Sequence, residues 1–358
     1  MGSQGSEFDT EGLLELSHFA GMRFDLVQAG GGNSSVKLNQ TEMLIKASGY
    51  HLSEVNEDDG FVSVIYPDVN NILRRRDSLE KLDKRAREKK AAQEVSLALT
   101  THSSNLRVSI EVFLHAALRK YVLHTHPLAV NAIACQRSWK NQLEVIFPDA
   151  LFVPYATPGI DLGLVLSDML RCCEEIPKVI FLQNHGLIVN SDDIEEVKNL
   201  TDKVTASCEI VCGLDFEHYR ATTSIAAFLE SGCVVYCSDD HTLHSCVKGD
   251  KHILRSAPIF PDSVVFCGLY PLILKNLESK KPLEEYLNKF NETPKVIYIN
   301  DRFYFIAKNI RKAKDIEEVF KAHLFLVSSI KPNERLVLEG AELAYLSNWE
   351  AERYRSGR

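Results

Sequence analysis

The chain has 358 residues, which at roughly 150 residues per domain leaves room for two domains, or for one large domain with an appendage. Hydrophobic residues make up 45% and charged residues 25%, values that exclude a disordered chain, a collagen-like repeat and a small disulfide scaffold. With 41 Lys and Arg against 49 Asp and Glu, the formal charge of −8 argues against binding nucleic acid or an anionic membrane through the surface as a whole. No apolar run approaches the roughly 18 residues of a membrane span, and the N-terminus lacks a signal-peptide layout, which points to the cytoplasm. The nine cysteines are odd in number and scattered, so free thiols are expected.

Leu13, Leu14, Leu16, Phe19 and Ala20 recur at helical spacing and predict a helix over 10–28, ahead of the Gly30-Gly31-Gly32 break. Short strands are expected at 36–38, 43–45 and 61–65. The stretch 74–90 carries nine basic and four acidic side chains; such interspersed charge fits a solvated helix face, continuing through Leu97 and Leu99. A helix over 109–121, a strand at 122–125 and a helix over 128–135 follow. A strand at 151–154, a helix over 162–173, strands at 178–182 and 187–189 and a helix over 192–212 complete an α/β unit. The regular pattern weakens over 217–231. A second domain is therefore expected after residue 225, with strands at 233–236 and 264–267, a helix over 282–290, a hairpin from 295–299 and 303–307, and helices over 315–330 and 339–354.

The most informative stretch is Val122-Leu123-His124-Thr125-His126-Pro127. Side chains at i and i+2 of a strand share a face, so His124 and His126 can present two imidazoles to one metal ion, although such a pair alone equally describes surface or core histidines. His185, in Gln183-Asn184-His185-Gly186, lies between two predicted strands. Three histidines with one position open suit catalytic zinc. Glu111 stands at the start of a predicted helix, where a carboxylate either complements the helix dipole or serves as a base beside a metal. His115, one helical turn on, reads as packing. Gly30-Gly31-Gly32-Asn33-Ser34-Ser35 can turn backbone N–H groups onto an anion, and Ala47-Ser48-Gly49 offers a similar turn. Neither matches a nucleotide-binding loop, so the phosphate of a small metabolite is the better fit. The group Cys233, Cys237, His241, His244 and Cys246 misses zinc-finger spacing, and no zinc is assigned to it.

The ordered series Gly-Gly-Asn-Ser-Ser, Ala-Ser-Gly, Ser-x-Glu, His-Thr-His-Pro, Asn-His-Gly resembles the class II (zinc-dependent) aldolase/adducin family. Within it, Ser109 to Pro127, Val153 to Gly159, Ala257 to Val265 and Tyr345 to Trp349 are similar to the aldolase part of the bifunctional rhamnulose-1-phosphate aldolase/lactaldehyde dehydrogenase group. The resemblance implies an α/β/α layered domain over 9–225 with a central, mainly antiparallel sheet, followed by a smaller C-terminal α+β domain over 226–358. It implies Zn2+ on His124, His126 and His185, with Glu111 as acid/base. The phosphate of a sugar-phosphate substrate would lie on Gly32, Asn33, Ser48, Gly49 and Ser109, and Tyr155 would be the proton-donating tyrosine. Fuculose-type aldolases have Ser-Ser-Glu where this chain has Ser109-Ile110-Glu111, one hydroxyl fewer. The implied reaction is reversible cleavage of a ketose 1-phosphate to dihydroxyacetone phosphate and an aldehyde, in a homo-oligomer, by family precedent a tetramer. Epimerase, dehydratase and decarboxylase chemistry share the family, as does the non-catalytic adducin head.

Overall fold

A computed structural model describes residues 7–100, 106–229 and 233–347. The chain divides into two compact units, Met1–Phe216 and Glu217–Arg358. The division falls ahead of residue 225, because Glu217–Leu229 is a helix of the second unit. Its buried side chains, Tyr219, Thr222, Ile225, Phe228 and Leu229, keep helical spacing. Threonine, alanine and serine between them dilute the apolar pattern by which a helix is recognised in sequence.

In the first unit the elements run α1 (Glu7–Gly21), β1 (Asn33–Lys37), β2 (Glu42–Lys46), β3 (Phe61–Ile65), α2 (Tyr66–Arg74), α3 (Arg76–Glu80), α4 (Lys84–Leu97), α5 (Val112–Ala116), β4 (Tyr121–Thr125), α6 (Leu128–Ala134), α7 (Trp139–Ile146), β5 (Leu151–Val153), α8 (Ile160–Arg171), β6 (Val179–Leu182), β7 (Gly186–Ser191) and α9 (Ile194–Cys212). Seven strands form one sheet in the order β3-β2-β1-β4-β7-β6-β5. Every pairing is antiparallel except β5 with β6.

Strand alternation divides the core between the two faces of this sheet. Leu123, Phe181, Leu187 and Val189 pack with Leu16 and Phe19 of α1, Val130 and Ile133 of α6 and Val197 and Val204 of α9. Val122, Ile180, Leu182 and Ile188 point the other way, against Leu114 of α5 and Leu162 and Leu166 of α8. Helices on both faces of a mainly antiparallel sheet make the α/β/α layering.

Several elements are shorter than their sequence pattern. Helix α1 ends at Gly21, where a Cβ would lie 2.3 Å from Ser53 N, and the following segment turns Arg23 into the interior. The charged stretch is two helices, with Asp83 capping α4 through Ala86 N. The expected helix over 109–121 contracts to α5, because Ser109 and Glu111 form the turn that precedes it. This contraction leaves Glu111 in the turn, as the residue just before α5.

The second unit runs α10 (Glu217–Leu229), β8 (Val234–Cys237), α11 (His241–Val247), α12 (Pro261–Cys267), β9 (Leu272–Ile273), α13 (Lys281–Phe290), β10 (Val296–Ile299), β11 (Arg302–Ala307), α14 (Ile310–Ser329) and α15 (Gly340–Ser347). Its four strands pair in the order β8-β11-β10-β9, and Asn300 and Asp301 both take positive φ in the β10–β11 hairpin. Residues 264–267, expected as a strand, are the end of α12: Pro261 opens the helix, and Val264 and Cys267 share its buried side. The expected end of the last helix, 348–354, and the Trp349 part of the family resemblance lie outside the described residues. Among the described residues no helix is long and apolar enough to cross a membrane.

Candidate metal centre

The sheet's central strand pair sets the site. On β4, His124 lies opposite Asn33 of β1 on one side and Ile188 of β7 on the other. It is completely buried. Two residues on, His126 leaves the strand with its N–H donated to the Leu26 carbonyl at 2.8 Å. Gly31 lies directly against it: a Cβ there would come 2.8 Å from His126 Nδ1. The loop between β6 and β7 supplies His185, after Asn184 at positive φ. Asn131 Nδ2 holds the His185 carbonyl at 3.1 Å.

The three imidazoles converge through their Nε2 atoms. His124 Nε2 is 3.2 Å from His126 Nε2 and 3.2 Å from His185 Nε2. Glu111 Oε1 completes the group, 3.2 Å from His124 Nε2 and 3.3 Å from His185 Nε2. One donor atom from each of the four residues lies within 4.8 Å of the other three, an arrangement able to hold a metal ion. His124 Nδ1–H donates to the Leu187 carbonyl at 3.0 Å. That bond fixes the ring and frees Nε2 as the ligating atom, the usual support for a metal-bound imidazole. The donor set therefore fits a divalent cation. Among the described residues it is the sole such group, so the cysteines and histidines of 233–246 do not assemble one.

Electrostatics couples these groups. Burial raises the Glu111 carboxyl, but the charge and hydrogen bonds of His124 and then His185 outweigh it and hold it well below the usual carboxylate range. Burial lowers the His124 imidazole, and Glu111 more than reverses this, leaving it raised. His126 is pushed down to about 3 by burial and then by the neighbouring His124 and His185. His115 is packed, as its position suggested. Its Nδ1 lies 2.7 Å from Ser35 Oγ, and burial, then the charge of His124, pushes it down to about 3.

The remaining sequence candidates fall into three places. Gly32, at φ 75°, and buried Asn33 lead into β1 beside His124; Asn33 Oδ1 has no partner among the described residues. Ser48 and Gly49 form an exposed turn in which the Ser48 N–H donates to the Arg107 carbonyl at 2.8 Å, and nearly buried Ser109 accepts the Glu111 N–H at 3.3 Å. Tyr155 is tied by its N–H to Gln183 Oε1 at 3.0 Å, on the loop that carries His185. Its side chain is 59% exposed.

Sequence reasoning missed two supports. Lys46, at the end of β2, is 3% exposed, and its Nζ donates to the Tyr50 carbonyl at 2.7 Å; burial lowers it, with Glu111 and Glu54 opposing. Arg23 is fully buried against Asp25 at 2.7 Å and against Asp202 of α9. A buried lysine beside the Ala-Ser-Gly turn is visible in sequence only as an interruption of β2's apolar run, and nothing local links Arg23 to Asp202.

The family of the class II aldolase and adducin N-terminal domain matches residues 11–212, and the chain belongs to it. Among solved structures, the N-terminal class II aldolase domain of a conserved protein from Thermoplasma acidophilum is 24% identical, with a TM-score of 0.49, over 59% of this chain and 97% of that one. An aldolase II superfamily protein from Pseudomonas syringae is 16% identical, with a TM-score of 0.43, over 59% and 77%. The L-fuculose-1-phosphate aldolase from Thermus thermophilus is 13% identical, with a TM-score of 0.38, over 57% and 94%. Among curated proteins none matches.

Proposed function

We propose that the protein is a zinc-dependent aldolase that reversibly cleaves a ketose 1-phosphate, rhamnulose-1-phosphate-like, to dihydroxyacetone phosphate and an aldehyde, working in the cytoplasm as a homo-oligomer, a tetramer by family precedent. The observation that carries this reading is the convergence of His126 Nε2, His185 Nε2 and Glu111 Oε1 on His124 Nε2, each at 3.2 Å, with one donor atom of all four residues within 4.8 Å of the others. Nitrogens held about 2.0–2.1 Å from a tetrahedral zinc lie ~3.3 Å apart, so the spacing suits that ion. His124, His126 and His185 would hold the zinc, which supplies Lewis-acid stabilisation of the negative charge that develops on the substrate.

The chain's own residues supply the rest. Glu111 is 12% exposed and turned toward the histidines, where a carboxylate can carry a proton to and from the carbon that loses its aldehyde. Gly32, Asn33, Ser48, Gly49 and Ser109 would hold the phosphate, and Tyr155 would protonate the aldehyde oxygen. Zinc analysis with a product assay on a panel of ketose 1-phosphates tests the reading. Glu111→Gln is expected to retain zinc and to lose roughly 10²–10⁴-fold in turnover. Full activity in that variant would remove Glu111 from the reaction, and epimerised or dehydrated products would move the protein to another branch of its family.

A further inference from the structure

The phosphate reading leaves an electrostatic deficit at the turn. The groups assigned there are neutral: the hydroxyls of Ser48 and Ser109, the Asn33 amide and the backbone at Gly32 and Gly49. One of their donors is already used, because the Ser48 N–H is given to the Arg107 carbonyl. Ile110, 59% exposed, brings no hydroxyl of its own. Buried Lys46 is committed to the carbonyls of Tyr50 at 2.7 Å and Ala47 at 3.4 Å. A phosphate dianion would thus meet neutral donors at the turn itself, with the nearest ammonium, that of Lys46, already turned to backbone carbonyls.

We propose that Arg107 is the cation that recognises the substrate phosphate, an inference that rests on reading this turn as a phosphate site. The 2.8 Å bond from Ser48 N–H to the Arg107 carbonyl fixes its backbone against the turn, and Ser109 follows two residues later on the same segment. The Arg107 side chain is exposed, and it makes no hydrogen bond or ion pair with any described residue. Beside it the turn is open: a Cβ built on Gly49 would meet nothing within 4 Å. A guanidinium offers a planar fork of donors that matches two phosphate oxygens at once, which Ser and Asn cannot do. One short segment, Arg107 to Ser109, therefore brings a charge and a hydroxyl to the same anion. The ligand class is a small phosphomonoester.

The test is calorimetric titration of inorganic phosphate into the metal-loaded protein, for wild type, Arg107→Ala and Arg107→Lys. A charge-assisted contact at a partly open site predicts that Arg107→Ala weakens phosphate binding by roughly tenfold or more, with partial recovery in Arg107→Lys. Metal content should be unchanged in both, since Arg107 touches no ligand. Equal phosphate affinity in wild type and Arg107→Ala, or no phosphate binding by wild type, overturns the inference. The fate of the aldolase reading is separate. Arg107-dependent phosphate binding in a protein that cleaves no ketose phosphate supports this inference and removes that function, whereas cleavage with Arg107-independent phosphate binding does the reverse.

Discussion

Both nitrogens of His124 face acceptors: Nδ1 the Leu187 carbonyl at 3.0 Å and Nε2 the Glu111 carboxylate at 3.2 Å. That environment favours the imidazolium over the neutral ring, and the raised proton affinity of His124 and lowered one of Glu111 express the same ion pair from its two ends. A metal needs the Nε2 lone pair, so it must displace this proton. The sign follows directly. With the His124 imidazole held above its ordinary value by Glu111 in the metal-free protein, metal affinity should rise with pH through the neutral range, and binding there should release protons. Titration of zinc in buffers of different ionisation enthalpy measures their number, and a value near zero would mean that His124 is neutral before metal arrives. His-Thr-His and Asn-His-Gly were legible in sequence because strand alternation and a turn are local rules. For Glu111, thirteen residues before His124, the sequence left a helix-dipole charge and a base beside the metal as alternatives until the family resemblance favoured the second, since the sequence pattern extended α5 over the turn that aims it.

At the scale of elements, the candidate metal centre is a seam between β4 and β7, and the seam depends on the absence of a side chain. A Cβ on Gly186 would lie 2.2 Å from the Thr125 carbonyl and 3.1 Å from His126 Cδ2. Gly186→Ala must push β7 away from β4, taking with it His185, immediately before, and the Leu187 carbonyl that orients His124. The variant is expected to bind zinc roughly 10–100-fold more weakly, the usual cost of disturbing the groups that support metal ligands, with β4–β7 amides losing hydrogen-exchange protection. Unchanged zinc affinity would show that the ligands do not depend on this register. The bracing of the other side works through charge. Arg23 pairs with Asp25 in the interior, and the segment they hold gives the Leu26 carbonyl to His126. Arg23→Ala leaves Asp25 buried and unpaired, so a loss of about 3–5 kcal/mol in chemical denaturation is expected. Asp202 is a third exposed, and its removal should cost far less. The main sheet was largely readable, because β2, β3, β4 and β6 follow apolar alternation or runs. Helices α10 and α12 were not: in one the apolar residues are diluted by threonine, and in the other Val264, Val265 and Phe266 carry strand propensity that Pro261 and burial override.

On the scale of the whole molecule, every residue of the candidate metal centre and of its bracing lies within Met1–Phe216, and the second unit has a core of its own around Val296, Phe303, Phe305, Phe320 and Leu324. The two units therefore carry different obligations: the first must hold four charged or titratable side chains in register, and the second packs a four-stranded sheet against α14, with no member of the histidine and glutamate group among its described residues. Metal binding should then stabilise the units unequally. A ligand present at 100 times its dissociation constant adds about 2.7 kcal/mol to whatever cooperative unit binds it, which slows exchange from that unit's globally protected amides by roughly 100-fold. Hydrogen exchange read by mass spectrometry, with and without zinc, separates the two halves peptide by peptide. Peptides covering β4, β7 and α9 are expected to slow on zinc loading, while those covering β10, β11 and α14 stay as they were. Equal slowing in both sets would mean that the second unit unfolds together with the first, and that its role includes securing the metal centre.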